Sequence, residues 1–585
     1  MAAPVRATRS SLLRRIARPS VPSLARSEPR FNYLPPSPFD PSPPSPESSQ
    51  YRLLTAQDLV RANEPPRRAR MLVREFIDDC LYNPQYGYFS TRVDIFDPDS
   101  VRVHTSKGRK GKKGGGGEGA GGVQKRAEGF EFAAFSSTAA FEDEVARRYM
   151  AFEGLDGGAG AGGSVGAGPG RQVWHTPTEL FKPWYGRALA RYLLATYLHN
   201  HYPYSDLIIY EIGAGNGTLM VDILDYLAAH APEVYARTKY RIIEISPRLA
   251  GVQRGAAGGR GRGKAGEKEG GLNEGEAGKE KAKRRGHGDK VEIVSKSIFE
   301  WDRVVHEPCF FLAMEVLNMR EQDNFAHDVI RYTTDTHEPL ECTIAIDASG
   351  DYTELYSPVT DPLIARYLSL RASLPRSSRT SRALNPVLAA SPLLRKLYAA
   401  LPFAPNMTQP EFIPTRQLQL LETLRDKFPH HRVVMSDFES LPDAVEGVNG
   451  PVVQTRYQGE PGFFDIFFPT DFAALRDMYH IVMSSPSCLS RDSSSSPSLP
   501  PTPSSRLSAG FFSPHTPRTL AAPPSSPGAK AHSGDGVLPG LGASKALQVV
   551  SHEEFLERWA ETDRTRVADG SNPMVESYGN AKFIL

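Results

Sequence analysis

The chain has 585 residues, including 50 glycines and 49 prolines, and its 69 basic and 67 acidic side chains leave a formal charge of +2. That balance removes any global electrostatic case for a nucleic-acid or membrane-surface protein. The four cysteines, Cys80, Cys309, Cys342 and Cys488, form no CxxC pair and no apolar run is long enough to span a bilayer, so no metal site, disulfide framework or membrane span is expected.

Taken in chain order, residues 1–30 read as a mitochondrial transit peptide. Six arginines, Arg6, Arg9, Arg14, Arg15, Arg18 and Arg26, are interleaved with serine and apolar residues, and no acid precedes Glu28. Residues 31–54 form a Pro/Ser-rich linker. The folded part is expected over 55–483 and 544–585, interrupted by disordered glycine-rich inserts at 107–125, 154–170 and 251–289 and separated by a Ser/Pro-rich insert at 484–543. The basic glycine tracts lack Phe and Tyr, so they have no stacking platform for RNA.

With the inserts set aside, strand-like and helical segments alternate. Residues 207–210 form a continuous apolar run suited to a strand buried on both faces, and 219–229 a following helix. Strands are expected at 239–245, 291–294 and 310–316, and a hairpin at 343–347 and 353–356 around Ser349-Gly350-Asp351. A helix over 415–428 leads into a strand at 432–435, and 452–457 and 462–468 are expected to complete the sheet. This alternation predicts an α/β doubly wound fold with parallel strands and crossover helices.

Tyr210-Glu211-Ile212-Gly213-Ala214-Gly215-Asn216-Gly217-Thr218 lies where the first strand feeds the first helix, the place where such sheets bind ligands. Gly213, Gly215 and Gly217 let the backbone approach a cofactor, and the helix after them offers free N–H groups. The Glu-x-Gly-x-Gly-x-Gly spacing differs from the GxGxxG of dinucleotide sites and favours S-adenosyl-L-methionine (SAM), with Glu211 ordering its ammonium end. Glu244, closing the second strand, is the candidate ribose residue. Ser297 and Ile298, after the third strand, are placed at the adenine.

These residues, together with Phe76-Ile77-x-x-Cys80-Leu81-Tyr82-Asn83-Pro84-x-Tyr86-Gly87-Tyr88-Phe89, Thr176-Pro177-Thr178-Glu179-Leu180-Phe181 and Gly462-Phe463-Phe464-Asp465-Ile466-Phe467-Phe468-Pro469-Thr470-Asp471-Phe472, resemble the MidA-like methyltransferase family. The resemblance implies a class I SAM-methyltransferase, Rossmann-like sheet with low-complexity insertions, and places Thr176, Pro177 and Glu179 near the cofactor. It further implies a type II protein arginine methyltransferase giving symmetric dimethylarginine, a protein substrate such as a respiratory complex I subunit, and the mitochondrial matrix. After the fourth strand the family's Asn-Glu-x-x-Asp-Ala-Leu-Pro is replaced by Met314-Glu315-Val316-Leu317, five interposed residues and then Asp323. Glu315 is the candidate clamp for a guanidinium, Asp323 the second carboxylate and His327 a proton acceptor. A SAM-binding scaffold without activity and an NAD-dependent oxidoreductase are the alternative readings.

Overall fold

The computed structural model describes residues 48–91, 94–99, 102–104, 124–126, 129–153, 173–174, 176–259, 286–316, 327–374, 388, 391–401, 404–441, 452–454, 465–485 and 547–585. The transit-peptide segment 1–30 and the insert 154–170 lie outside these residues. The short strand Arg52–Leu53, within the stretch 31–54 assigned to the linker, pairs with Ala69 and Arg70 at the edge of the second sheet. In chain order the other strands that build the two larger sheets are β1 (Ala69–Leu72), β2 (Leu207–Ile212), β3 (Thr238–Ile243), β4 (Val291–Val294), β5 (Cys309–Met314) and β6 (Asp328–Tyr332). They continue with β7 (Pro339–Ile346), β8 (Tyr352–Pro358), β9 (Glu411–Ile413), β10 (His431–Phe438), β11 (Val549–Ser551) and β12 (Ala581–Ile584). The helices used below are α1 (Val73–Tyr82), α2 (Pro177–Leu180), α3 (Trp184–Asn200), α4 (Thr218–His230) and α5 (Pro247–Ala257). After them come α6 (Pro362–Ala372), α7 (Pro392–Ala399), α8 (Thr415–Lys427), α9 (Phe472–Ser484) and α10 (His552–Trp559).

The seven-stranded sheet has the order β11-β12-β10-β5-β2-β3-β4. Strands β4, β3, β2, β5 and β10 are parallel, whereas β12 runs antiparallel to both of its neighbours. Every residue of β2 is buried, as a strand covered on both faces requires. Its alternation divides the core: Leu207 and Ile209 pack with Leu193 of α3 and Ile223 and Leu227 of α4, while Ile208, Tyr210 and Ile212 pack with Leu421 of α8 and Tyr479 of α9. Gly186 lets α3 approach α4, because a Cβ there would sit 2.4 Å from Cβ of Asp222.

The second sheet is organised on β7. One edge carries β8 along Leu340 to Ile346, and the other is shared end to end by β6 and β1. Charge pairs tie this sheet to the helices. The buried Arg74 of α1 donates to Asp328 at 2.7 Å and to both oxygens of Asp361, the α6 N-cap, at 2.9 and 2.6 Å. Thr415, opening α8, donates to the same Asp328 at 2.6 Å. Removing Arg74 leaves buried carboxylates uncompensated, so Arg74→Ala is expected to destabilise the fold by about 3–5 kcal/mol. Denaturant titration checks this, and a change below ~1 kcal/mol would contradict the assignment.

Several boundaries differ from the sequence expectation. The insert assigned to 251–289 begins later, because α5 runs from Pro247 to Ala257, is capped by Ser246 and buries Leu249, Ala250, Gln253 and Ala257; residues 286–289 are again described. Gln124–Arg126, partly assigned to the insert 107–125, pairs with Arg102–His104. Segments 452–457 and 462–468 do not complete the main sheet: Val452–Gln454 and Asp465–Phe467 pair only with each other. The sheet is completed by β12 and β11 from the C-terminal end of the chain. Asp328 opens β6 and is fully buried on Arg74.

Candidate functional site

At the carboxyl end of β2 the chain turns through Gly213, Gly215 and Gly217 with φ of 72°, 52° and 77° and enters α4. Side chains beyond glycine are strained in this region. At Gly213 space is lacking as well, since a Cβ would lie 2.5 Å from Cγ2 of Val316. The turn is therefore pressed against the chain leaving β5, and it is closed on itself by the Gly217 N–H, which donates to Ala214 O at 2.7 Å.

A short helix closes over the turn. Thr176 caps α2, its hydroxyl accepting the Glu179 N–H at 3.0 Å. The buried Glu179 carboxylate accepts from Asn216 Nδ2 at 3.0 Å and Thr218 Oγ1 at 2.6 Å. Lys182 reaches the same carboxylate at 3.4 Å and Asp97 at 2.5 Å. Thr176, Thr178, Glu179, Glu211, the glycine turn, Thr218, Met314 and Glu315 line one cleft, of ≈ 570 Å³ including its open mouth. Pro177 is buried behind this wall.

Two carboxyl groups face the cleft under unusual conditions. Glu211 is buried and accepts the Tyr240 hydroxyl at 2.8 Å. Burial outweighs that bond and pushes its carboxyl from 4.5 up to about 7. Glu315, directly after β5, is a non-glycine residue held at φ 57°, which ends the strand at Met314 rather than at 316 as expected. Its N–H donates to Ser436 O at 2.6 Å, and burial together with its charge raises the Tyr185 hydroxyl above the ordinary range. Strain of this kind persists only where surroundings impose it, and it concentrates at functional sites.

The other sequence-derived positions are distributed more widely. Glu244 follows β3 and is fully buried, its oxygens taken by the Ser246 N–H at 2.7 Å and Gln253 Nε2 at 2.6 Å. Gln253 also donates to Gly215 O at 3.0 Å, linking the second strand to the turn. Ser297 caps a single 3-10 turn, and Ile298 is buried in the core beneath the sheet, away from the cleft wall. Asp323 lies outside the described residues. His327 is buried and stacked on Phe468 at 3.9 Å between ring centroids, and it lines a different cavity with Glu411, Gln417 and Asp471. Glu315 and His327 are therefore not brought into one cleft. Sequence reading missed Asn216, Thr218, Tyr240 and Gln253. Only the first two carried a signal, as polar groups inside and just after the glycine turn.

The sheet order, its reversed penultimate strand and the glycine turn after the first strand define the Rossmann-like fold of class I SAM-dependent methyltransferases. The family model described as S-adenosyl-L-methionine-dependent methyltransferase matches residues 188–486, more than half of the chain, and the chain belongs to that family. Among curated proteins it is similar to the "Protein arginine methyltransferase NDUFAF7 homolog, mitochondrial" of Schizosaccharomyces pombe, with 22% identity over 275 residues, 46% of this chain and 51% of the relative. The chain thus spans about half the length of that relative. A COG1565 superfamily member from Burkholderia thailandensis, solved with S-adenosyl-homocysteine bound, is 14% identical, with 76% of this chain and 79% of that chain covered and a TM-score of 0.36. A native crystal structure of a COG1565 superfamily protein from the same organism is 16% identical over 52% of this chain and 64% of that one, with a TM-score of 0.33. The family is that of SAM, and the residues fit it: the glycine turn, held against Val316, lines an open cleft together with Thr176, Glu179 and the buried carboxyl of Glu211.

Proposed function

We propose that this chain is a type II protein arginine methyltransferase of the mitochondrial matrix that acts on a subunit of respiratory complex I and so supports its assembly. The observation carrying this reading is Glu315, a strained, buried carboxylate on the wall of the same cleft as the glycine turn. The name of the fission-yeast relative and the arginine-rich leader 1–30 support substrate and compartment. Thr176, Pro177, Glu179, Glu211, the three glycines, Glu244, Ser297 and Ile298 are the proposed cofactor residues, and Glu315 and Asp323 the proposed residues for the acceptor; His327, in the other cavity, is not proposed to touch it.

When bound, SAM supplies a methyl group on a sulfonium, open to in-line attack by a nitrogen. The chain's own task is alignment and exclusion of water. Glu315 accepts N–H groups of the acceptor guanidinium, fixes its plane and leaves one terminal nitrogen facing the cleft. Glu179 holds α2 over the turn through Asn216 and Thr218 and so shields the cleft. A ribose diol at Glu244 requires Gln253 to give up its 2.6 Å bond.

Glu211 gives this reading a pH signature. With its carboxyl at about 7, it is protonated in the unliganded protein below that pH. This raised value favours the fold below the ordinary 4.5, and the contribution is lost as pH rises through about 7. An ammonium group placed beside it favours the carboxylate, so binding of S-adenosyl-homocysteine near pH 6 is expected to release a proton and to tighten as pH rises toward 7. Calorimetry in buffers of different ionisation enthalpy measures the release. Glu211→Gln should remove it, and identical release in wild type and variant would refute the role.

The function itself is tested by mass spectrometry of mitochondrial proteins with and without the gene. A symmetric dimethylarginine on a complex I subunit that disappears with the gene is the expected result. If labelling from radioactive SAM is the same with wild-type chain and a Gly215→Arg variant, the scaffold reading replaces this one.

A further inference from the structure

The near-neutral total charge conceals a local imbalance. Between Ala372 and Pro410 the sequence contains five basic residues and no acidic one. Within that stretch lies α7, Pro392–Ala399, capped by Ser391 and burying none of its residues. Its chain continues into a further turn closed by Leu401 N–H on Tyr398 O at 3.0 Å.

The large apolar side chains exposed on this segment are leucines. Leu393 is 68% exposed, Leu394 40%, Leu397 58% and Leu401 57%. Ten large apolar side chains are exposed among the described residues, and these four lie within nine consecutive positions. On a helix turning about 100° per residue, positions 393, 397, 401 and 394 fall within an arc of about 100°. The exposed Lys396 borders that arc, and the half-buried Arg395 lies on the opposite side. The surface is a row of exposed leucines bordered by the Lys396 ammonium.

We propose that α7 and the turn through Leu401 dock this protein onto an anionic lipid bilayer. A helix that buries none of its residues and exposes a row of leucines suits a lipid surface, into which an interfacial helix sinks its apolar face by about 5–10 Å. The charge selects the same occupant: phosphate head groups of an anionic leaflet attract the exposed Lys396 at the edge of the row, and the sequence from Ala372 to Pro410 holds no acid to oppose it. Two short turns give a weak and reversible attachment, sensitive to salt because exposed charges are screened within about 8–10 Å. The attachment is separate from the SAM cleft, whose residues it does not share.

Co-sedimentation of the full chain with vesicles tests this, comparing phosphatidylcholine alone with an equimolar mixture of phosphatidylcholine and phosphatidylglycerol. Binding to the anionic vesicles is expected to exceed binding to neutral ones at least ~10-fold, on the order expected for a few basic groups at the surface, and to fall with added salt. A combined Leu393→Ser, Leu397→Ser, Leu401→Ser variant should lose about tenfold in partitioning, in line with removal of apolar contact. The variant should keep its melting midpoint and its affinity for S-adenosyl-homocysteine, which separates lost docking from lost folding. Equal partitioning into both vesicle types, no binding to either, or wild-type binding by the triple variant would overturn the proposal. So would a leucine-dependent dimer in sedimentation velocity without vesicle binding, since the row would then serve a second copy of the chain.

Discussion

Gly213→Val is expected to abolish binding of S-adenosyl-homocysteine, with a loss of at least about 100-fold, or ~2.7 kcal/mol. Two costs combine at this position. A β-branched residue is forced to φ 72°, and its Cβ alone meets Val316 Cγ2 at 2.5 Å. Backbone strain of this kind is worth on the order of 1–3 kcal/mol before any clash is counted. Val316 is buried and has little room to turn, so relief comes from the glycine turn moving away from the β5 end, which pulls Asn216 and Thr218 from Glu179. Titration calorimetry gives the affinity, and the melting transition shows whether the fold persists. Gly213→Ala, with the same Cβ and less bulk, should lie between the two. An affinity within a few-fold of wild type in a folded Gly213→Val variant would mean that the turn is not where the cofactor binds.

The second large effect is expected at Glu315. Glu315→Gln keeps the shape of the side chain and removes the charge that clamps a guanidinium, so methyl transfer should fall on the order of 10²–10³-fold. Affinity for S-adenosyl-homocysteine should change little. Glu315→Gly separates function from stability, because glycine adopts φ 57° freely. Transfer should be lost just as fully, yet the protein should melt no lower than wild type, the relieved strain offsetting the truncated side chain. Transfer measured with labelled SAM at wild-type rate in Glu315→Gln would dismiss the carboxylate as the clamp. A clear drop in the melting midpoint of Glu315→Gly would show that the residue serves packing rather than chemistry.

How much of this was readable in advance depends on the range of the interactions involved. The parallel strands announced themselves because a strand covered on both faces must be apolar along its length, as β2 and β5 are. The glycine turn was equally legible, since positive φ restricts the residue type at each position. Edge strands carry no such signature. Segments 452–457 and 462–468 are as strand-like as β12, but pairing partners are chosen by which edge is free, and β12 arrives from the far end of the chain to take the edge of β10. The start of α5 was hidden for a related reason. Its glycine-containing sequence resembles the insert that follows, and what makes it helical is burial of Leu249, Ala250, Gln253 and Ala257 together with the Ser246 cap.

The site divides in the same way. Sequence alone determined which residues form the glycine turn and that Glu211 and Glu244 lie at the carboxyl ends of the first two strands, because these features follow from local backbone requirements and motif spacing, while the family resemblance implied that Thr176 to Glu179 belong beside them. Only the tertiary structure decided that Glu179 ties α2 to Asn216 and Thr218, that Gln253 occupies Glu244, and that Glu315 shares the cleft of the glycine turn while His327 stacks on Phe468 in another cavity. Those relations join side chains far apart in the sequence, and their distances are set by how the two sheets and their helices pack. Local chemistry names the groups a chain can use, and packing determines which of them meet.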